Sequence, residues 1–168
     1  MSDDYTTEWD SGKPETPCGK GSRLEETEII REYIPEVIEE YNIESIADVG
    51  CGDQNWIAHV EWPYEIKYQG YDIKPRHYDI KPLDICNELI PEADLVMTIY
   101  VLNHLKPKQM QRALRLLEES DCHYLLTSYC TYDKIPFPCL ESIPHKKTTR
   151  HEWRYGVFDL RSRGNYEI

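Results

Sequence analysis

The sequence predicts an α/β protein on a Rossmann-like, doubly wound, mostly parallel sheet of about six strands, with an antiparallel strand at its C-terminal end. Three observations predict it. Short apolar runs alternate with stretches of helical periodicity. Residues 94 to 100 are almost wholly apolar, as a strand covered on both faces must be. Two further runs, Ser45-Ile46-Ala47-Asp48-Val49 and Tyr68-Gln69-Gly70-Tyr71-Asp72, each carry an acid and lie about twenty residues apart, which is the separation of neighbouring parallel strands in one βαβ unit.

Residues 1 to 18 are polar and acidic, with Pro14 and Pro17, and predict a flexible N-terminal arm. A single domain follows over residues 19 to 168. Ser22 and Glu25 match a capping box, and Ile29, Ile30, Tyr33, Ile34, Val37, Ile38 and Tyr41 recur at three-to-four spacing behind it. This pattern predicts an amphipathic helix of about 19 residues, kinked at Pro35 because proline removes one backbone hydrogen bond. Strand one ends in Gly50-Cys51-Gly52-Asp53, and residues 54 to 60 leave room for a short helix before Pro63. Strand two covers 67 to 72, strand three centres on Asp84-Ile85, and strand four is the apolar run 94 to 100. Pro107 opens a helix with Met110, Ala113, Leu114 and Leu117 on one face. Residues 123 to 129 predict strand five. Pro136, Pro138 and Pro144 then exclude a regular helix, and 152 to 160 predicts the last strand.

A chain of 168 residues suits one domain with a real core. Its net charge of −12 argues against a broad nucleic-acid surface, since binding a polyphosphate normally needs a basic face. Charge is nevertheless uneven. Lys134, His145, Lys146, Lys147, Arg150, His151, Arg154, Arg161 and Arg163 gather near the C-terminus, either as a surface for a substrate or partner or as a solvated tail. The six cysteines form no C-x-x-C pair and no charged-then-apolar leader precedes them, which predicts reduced thiols, a cytoplasmic protein and no structural zinc. No apolar run is long enough for a membrane span. Small size and an exposed sheet edge make a homodimer an open possibility.

The acids at the ends of strands one and two suggest a nucleoside-binding site, because a carboxylate there can accept hydrogen bonds from a ribose diol. The glycine pattern selects among ligands. Pyrophosphate binding wants G-x-G-x-x-G, whereas here Gly50 and Gly52 are followed by Asn55. Asp53 at the mouth of the turn disfavours a pyrophosphate and suits a cationic ligand. This favours S-adenosylmethionine over the nicotinamide dinucleotide of a dehydrogenase.

With Asp48, Gly50, Gly52, Asp72, Asp84 and Val101-Leu102-Asn103-His104-Leu105 in this order, the chain resembles the class I S-adenosylmethionine-dependent methyltransferases over residues 19 to 160. Gly19-Lys20-Gly21-Ser22, Ile30-Arg31-Glu32-Tyr33-Ile34-Pro35, Cys51-Gly52-Asp53-Gln54-Asn55-Trp56 and Pro136-Phe137-Pro138 resemble a little-characterised bacterial and phage group within them. The resemblance implies that Asp48 anchors the amino group of the cofactor, directly or through water. Gly50 and Gly52 would line its methionine part, Asp72 would bind the ribose hydroxyls, and Cys51 and Ile73 would be further cofactor-binding residues. Asp84 and Ile85 would meet the adenine, and Ile99, with the end of strand four, would floor the methionine end. Trp56 is either core or cofactor wall. The chain departs from the narrower group where an Arg-Asp pair is replaced by Ile99-Tyr100, and where the segment after strand five is short.

Methyl transfer is an in-line displacement governed mainly by positioning, with a base needed where the nucleophile must lose a proton. His104, just after strand four, is the candidate base, set against a packed structural histidine. Tyr100 is the second catalytic candidate. The tetrapeptide Asn/Asp-Pro-Pro-aromatic of DNA amino-methyltransferases is absent, and Pro138-Cys139 follows strand five, not strand four as cytosine C5 chemistry requires. The acceptor is expected to be a small molecule or a nucleotide. The alternative is a non-catalytic S-adenosylmethionine-binding sensor or subunit.

Overall fold

The structure, a computed structural model, describes residues 15 to 162. Among these, seven strands form one sheet: β1 (Ser45–Val49), β2 (Lys67–Asp72), β3 (Lys81–Pro82), β4 (Leu95–Thr98), β5 (Tyr124–Cys130), β6 (Cys139–Lys147) and β7 (Glu152–Asp159). Their order is β3-β2-β1-β4-β5-β7-β6. The first five are parallel, and β7 and β6 are added antiparallel. The chain leaves β1 for β2 on one side and returns to β4 on the other. The carboxyl ends of β1 and β4 therefore flank the switch point where open α/β sheets bind ligands.

Strand alternation divides the core in two. Ile46, Leu95, Met97, Leu126, Tyr155 and Val157 face α1 (Glu28–Tyr41), whose Ile30, Tyr33, Ile34, Val37 and Ile38 are buried against them. Ala47, Val49, Val96, Leu125 and Phe158 face the other way, where Ala113 and Leu117 of α2 (Pro107–Glu119) cover them. Proline opens α2 at a position whose N–H has no helical partner, and the Lys106 N–H donates to Gln109 Oε1 at 2.9 Å.

Several expectations are corrected. The sheet has seven strands, not six, because β6 fills the proline-rich stretch. It is an edge strand, and an edge tolerates Pro144, which has no N–H to offer a neighbour. Strand three is the two-residue β3, not Asp84-Ile85. The Asp84 carboxylate accepts from the Cys86 N–H (2.9 Å) and from Asn87 Nδ2 (2.7 Å), closing a turn there instead. Helix α1 starts at Glu28 and has 14 residues, with Pro35 inside it. Ser22 belongs to a separate 3-10 turn, Lys20–Ser22, and its hydroxyl faces the Cys18 carbonyl at 3.5 Å, so the expected capping box does not form. Residues 54 to 60 yield only a 3-10 turn, Ile57–His59. Most of the expected arm, and Arg163 of the basic cluster, lie outside the described residues. The arm's last residues are packed: Thr16 is buried and its hydroxyl donates to Asp53 Oδ2 at 2.8 Å.

Candidate functional site

The loop after β1 is pinned to the end of β2. The N–H groups of Gly50 and Cys51 both donate to the Tyr71 carbonyl, at 2.8 and 3.0 Å. Gly50 has φ +83°, and a Cβ there would lie 2.4 Å from Val101 Cγ2, so only glycine lets this loop close on the turn after β4. The resulting cavity, about 330 Å³, opens at the carboxyl ends of β1, β2 and β4. Gly50, Gly52, Asp72, Ile73, Asp84, Ile85, Ile99, Tyr100 and His104 line it together, so the structure gathers nine of the twelve candidate residues around one space.

Asp72 ends β2 in the cavity wall. Its Oδ2 accepts from the Gly52 N–H and its Oδ1 from the Lys74 N–H, both at 2.9 Å. Two backbone donors thus fix the carboxylate in orientation, and each oxygen keeps a lone pair for a ligand hydroxyl. Asp84 is oriented in the same way by its own turn.

Asp48, Cys51 and Trp56 stand outside the lining. Asp48 is 2% exposed behind the Gly50 loop, where its Oδ2 accepts from the Tyr68 hydroxyl at 2.7 Å. Burial pushes its carboxyl up to about 7, against the opposing pull of the Tyr68 hydrogen bond and with a further push from Asp72. Cys51 is buried, and burial raises its thiol far above the ordinary range. Trp56 packs in the core under α1 and forms no part of the cavity wall.

Tyr100 adopts φ +55°, a conformation that bulky side chains rarely take. Its N–H donates to Ser128 Oγ at 2.6 Å, and its hydroxyl lies 2.8 Å from that of Tyr155 and 3.5 Å from His145 Nδ1. Tyr100 lines the cavity, and burial raises the pKa of its hydroxyl. His104 closes the 3-10 turn Leu102–His104. Partial burial of its ring lowers its pKa below the ordinary histidine value, which favours the neutral imidazole that can accept a proton.

Sequence reasoning placed no site residue in the wall facing the β4 turn, which is built by Cys18, Gly19, Lys20, Gly21 and Ser22. The signal was the two glycines around Lys20. A Cβ on Gly21 would lie 3.0 Å from the Tyr100 ring, so the glycine lets the segment pass against that side chain. Lys74 and Arg76, on the rim beyond Asp72, were missed too.

The fold has counterparts among solved structures. The methyltransferase domain of bacterial CtHen1 superposes with a TM-score of 0.61 at 12% identity, over 82% of this chain and 100% of that domain. The N-methyltransferase NodS of Bradyrhizobium japonicum WM9, solved with S-adenosyl-L-homocysteine, gives 0.60 at 13% identity, over 80% of this chain and 87% of its own. Magnesium protoporphyrin IX methyltransferase of Synechocystis PCC 6803, with bound SAM, gives 0.57 at 13% identity, over 82% and 80%. The fold is that of the class I methyltransferases. No protein-family model matches the sequence, and no curated protein matches it. Within the class I methyltransferase fold, the cavity of this chain occupies the switch point, and no helix of the described residues is long and apolar enough to cross a membrane.

Proposed function

We propose that this chain is an S-adenosylmethionine-dependent methyltransferase acting on a small-molecule or nucleotide acceptor. The observation that carries the reading is Asp72, a carboxylate held in the cavity wall by two backbone N–H groups at the end of β2. The cavity volume lies at the lower end of the range for small-molecule sites. The donor set suits a cationic nucleoside: acids at Asp72 and Asp84, a buried acid at Asp48 behind the glycine loop, and no third glycine for a pyrophosphate. The ligands bound in the structures of NodS and of the Synechocystis enzyme agree with this chemistry.

S-adenosylmethionine supplies an electrophilic methyl on a cationic sulfur. Asp72 would accept hydrogen bonds from the ribose hydroxyls, and Asp84 and Ile85 would border the adenine. Gly50 and Gly52 allow the methionine part to lie against backbone. Asp48 would balance its positive charge from behind that loop, which agrees with a water-mediated role better than with direct contact. Ile99 and the Tyr100 ring would floor the methyl end. His104, neutral at pH 7, would take the acceptor's proton at a ring nitrogen.

Isothermal titration with S-adenosylmethionine and S-adenosyl-L-homocysteine tests the ligand. Binding by the wild type that is lost in Asp72→Ala supports it, and no heat with either ligand would sink it. The sensor alternative draws support from Tyr100, whose hydroxyl is already engaged with that of Tyr155 at 2.8 Å. Formation of S-adenosyl-L-homocysteine from S-adenosylmethionine, with a cell-extract fraction supplying the methyl acceptor, by the wild type and not by His104→Ala decides for the enzyme.

A further inference from the structure

Part of the C-terminal basic cluster, Lys146, Lys147 and Arg150, is carried on the β6–β7 hairpin at the cavity edge of the sheet. Strand β5 runs parallel to β1 and β4, so Cys130 ends at the cavity edge of the sheet. Cys130 pairs with Trp153, and the Thr131 N–H donates to the Glu152 carbonyl at 3.2 Å. The turn between β6 and β7 therefore projects from that same edge. Register irregularities at Cys139/Glu141 and Pro144/Lys146 mark where β6 departs from regular pairing, and such bulges bend a strand. As a result His145 meets Tyr100 of the cavity wall. Glu26, held low by its bond to Lys20 at 2.9 Å, also feels the charge of Lys146, which links the hairpin to the wall on which Lys20 sits.

Between Ile143 and His151 the hairpin carries Lys146, Lys147 and Arg150 and no acid, and all three cations are exposed. Tyr132 stands beside them. It is 70% exposed, its hydroxyl donates to the Arg150 carbonyl at 3.0 Å, and its ring meets His151 edge-on at 5.2 Å. An anchored aromatic face among spaced cations has the features of a strand-binding surface, where bases stack and phosphates follow the charges. On a chain of net charge −12, the rest of the surface repels a polyanion and steers it to this edge.

We propose that the methyl acceptor is a nucleotide within single-stranded nucleic acid, guided to the cavity by the β6–β7 hairpin and Tyr132. This rests on the methyltransferase reading and deepens it. Lys146 and Lys147 end β6 and Arg150 lies in the turn that follows, so the cations are spread over the hairpin tip and not gathered at one point, which suits successive phosphates better than one phosphate group. Lys74 and Arg76 continue the positive rim on the far side of the cavity.

Fluorescence anisotropy tests it, with the full chain, a labelled single-stranded RNA and the DNA of the same sequence, in S-adenosyl-L-homocysteine and rising salt. Salt-sensitive binding of either strand is expected. The triple charge reversal Lys146→Glu, Lys147→Glu, Arg150→Glu should weaken it at least tenfold and reduce the slope of log affinity against log salt by about 2. Tyr132→Ala should weaken binding with the slope unchanged. Titration of both variants with S-adenosyl-L-homocysteine alone should match the wild type, which reports an intact fold and keeps the donor reading separate. No strand binding by the wild type at low salt, or equal binding by the triple variant, would overturn the proposal.

Discussion

Asp48 shows at the scale of one residue how a buried acid costs stability. Its carboxyl has an ordinary value of 3.8 and is pushed up to about 7 in the folded chain, mainly by burial. Between roughly pH 4 and 7 the folded state therefore holds a proton that the unfolded state has released, and stability falls as pH rises through that window. Asp48→Asn keeps an acceptor for Tyr68 and removes the titration. It should raise the thermal midpoint at pH 8, by a free energy on the order of a few kcal/mol, and flatten the pH dependence between 4 and 7. A variant whose pH–stability curve overlays that of the wild type would refute this. The same variant should bind S-adenosylmethionine more weakly, because a cationic ligand stabilises the carboxylate. Wild-type binding should then release protons near pH 6.5, seen as titration heats that change with the ionisation enthalpy of the buffer. Gly50 gives a second test. Any side chain there meets Val101 and a strained φ, so Gly50→Ala should lose at least about 1 kcal/mol of stability and most ligand affinity, in denaturant melts and titration.

Elements built on apolar periodicity are those the sequence specifies most clearly. The stripes of α1 and α2 cover opposite faces of the sheet, and Ile34 and Leu117 are fully buried beneath them. Ile34→Ala and Leu117→Ala should each cost about 2 to 5 kcal/mol by urea unfolding, whereas exposed Glu36→Ala should change little. The central strands β1, β4 and β5 were equally legible, since each must be apolar on both faces. Legibility fails where the backbone rather than side-chain pattern decides. Asp84-Ile85 has the look of a strand end, yet the Asp84 side chain bonds its own following backbone and makes a turn. β6 was hidden by prolines that rule out a helix but are tolerated at a sheet edge. Asp72 at the end of β2 and the glycines Gly50 and Gly52 marked the cavity from the sequence, whereas Asp48 proved to lie behind it. The wall of residues 18 to 22 did not stand out, because its placement depends on long-range contacts: Thr16 to Asp53, and Asn55 Nδ2 to the Ser22 carbonyl at 2.9 Å.

For the whole molecule, the cavity is assembled from segments far apart in the chain: residues 18 to 22, 49 to 52, 72 to 76, 83 to 85 and 99 to 105. A ligand that touches all of them ties them together and must stabilise the folded state in proportion to its affinity. At a hundredfold excess over Kd the gain is about 2.7 kcal/mol, which for a chain of this size raises Tm by about 5 to 11 °C. Removing residues 1 to 22 isolates the part played by the N-terminal wall. The deletion leaves Leu24, whose carbonyl accepts from Arg31 Nη2 at 3.1 Å, together with the whole of α1 and the sheet. Unfolding should therefore stay cooperative. The cavity, however, loses the side formed by Cys18 to Ser22, and Asp53 loses its bond from Thr16. Ligand affinity should drop at least tenfold, about 1.4 kcal/mol, and at the same ligand concentration the rise in Tm should shrink by several degrees. Removing residues 1 to 14 alone leaves every one of these contacts in place and should preserve both. If the longer deletion bound S-adenosyl-L-homocysteine as tightly as the intact chain, the segment would be a cover over the cavity edge and no part of the binding wall.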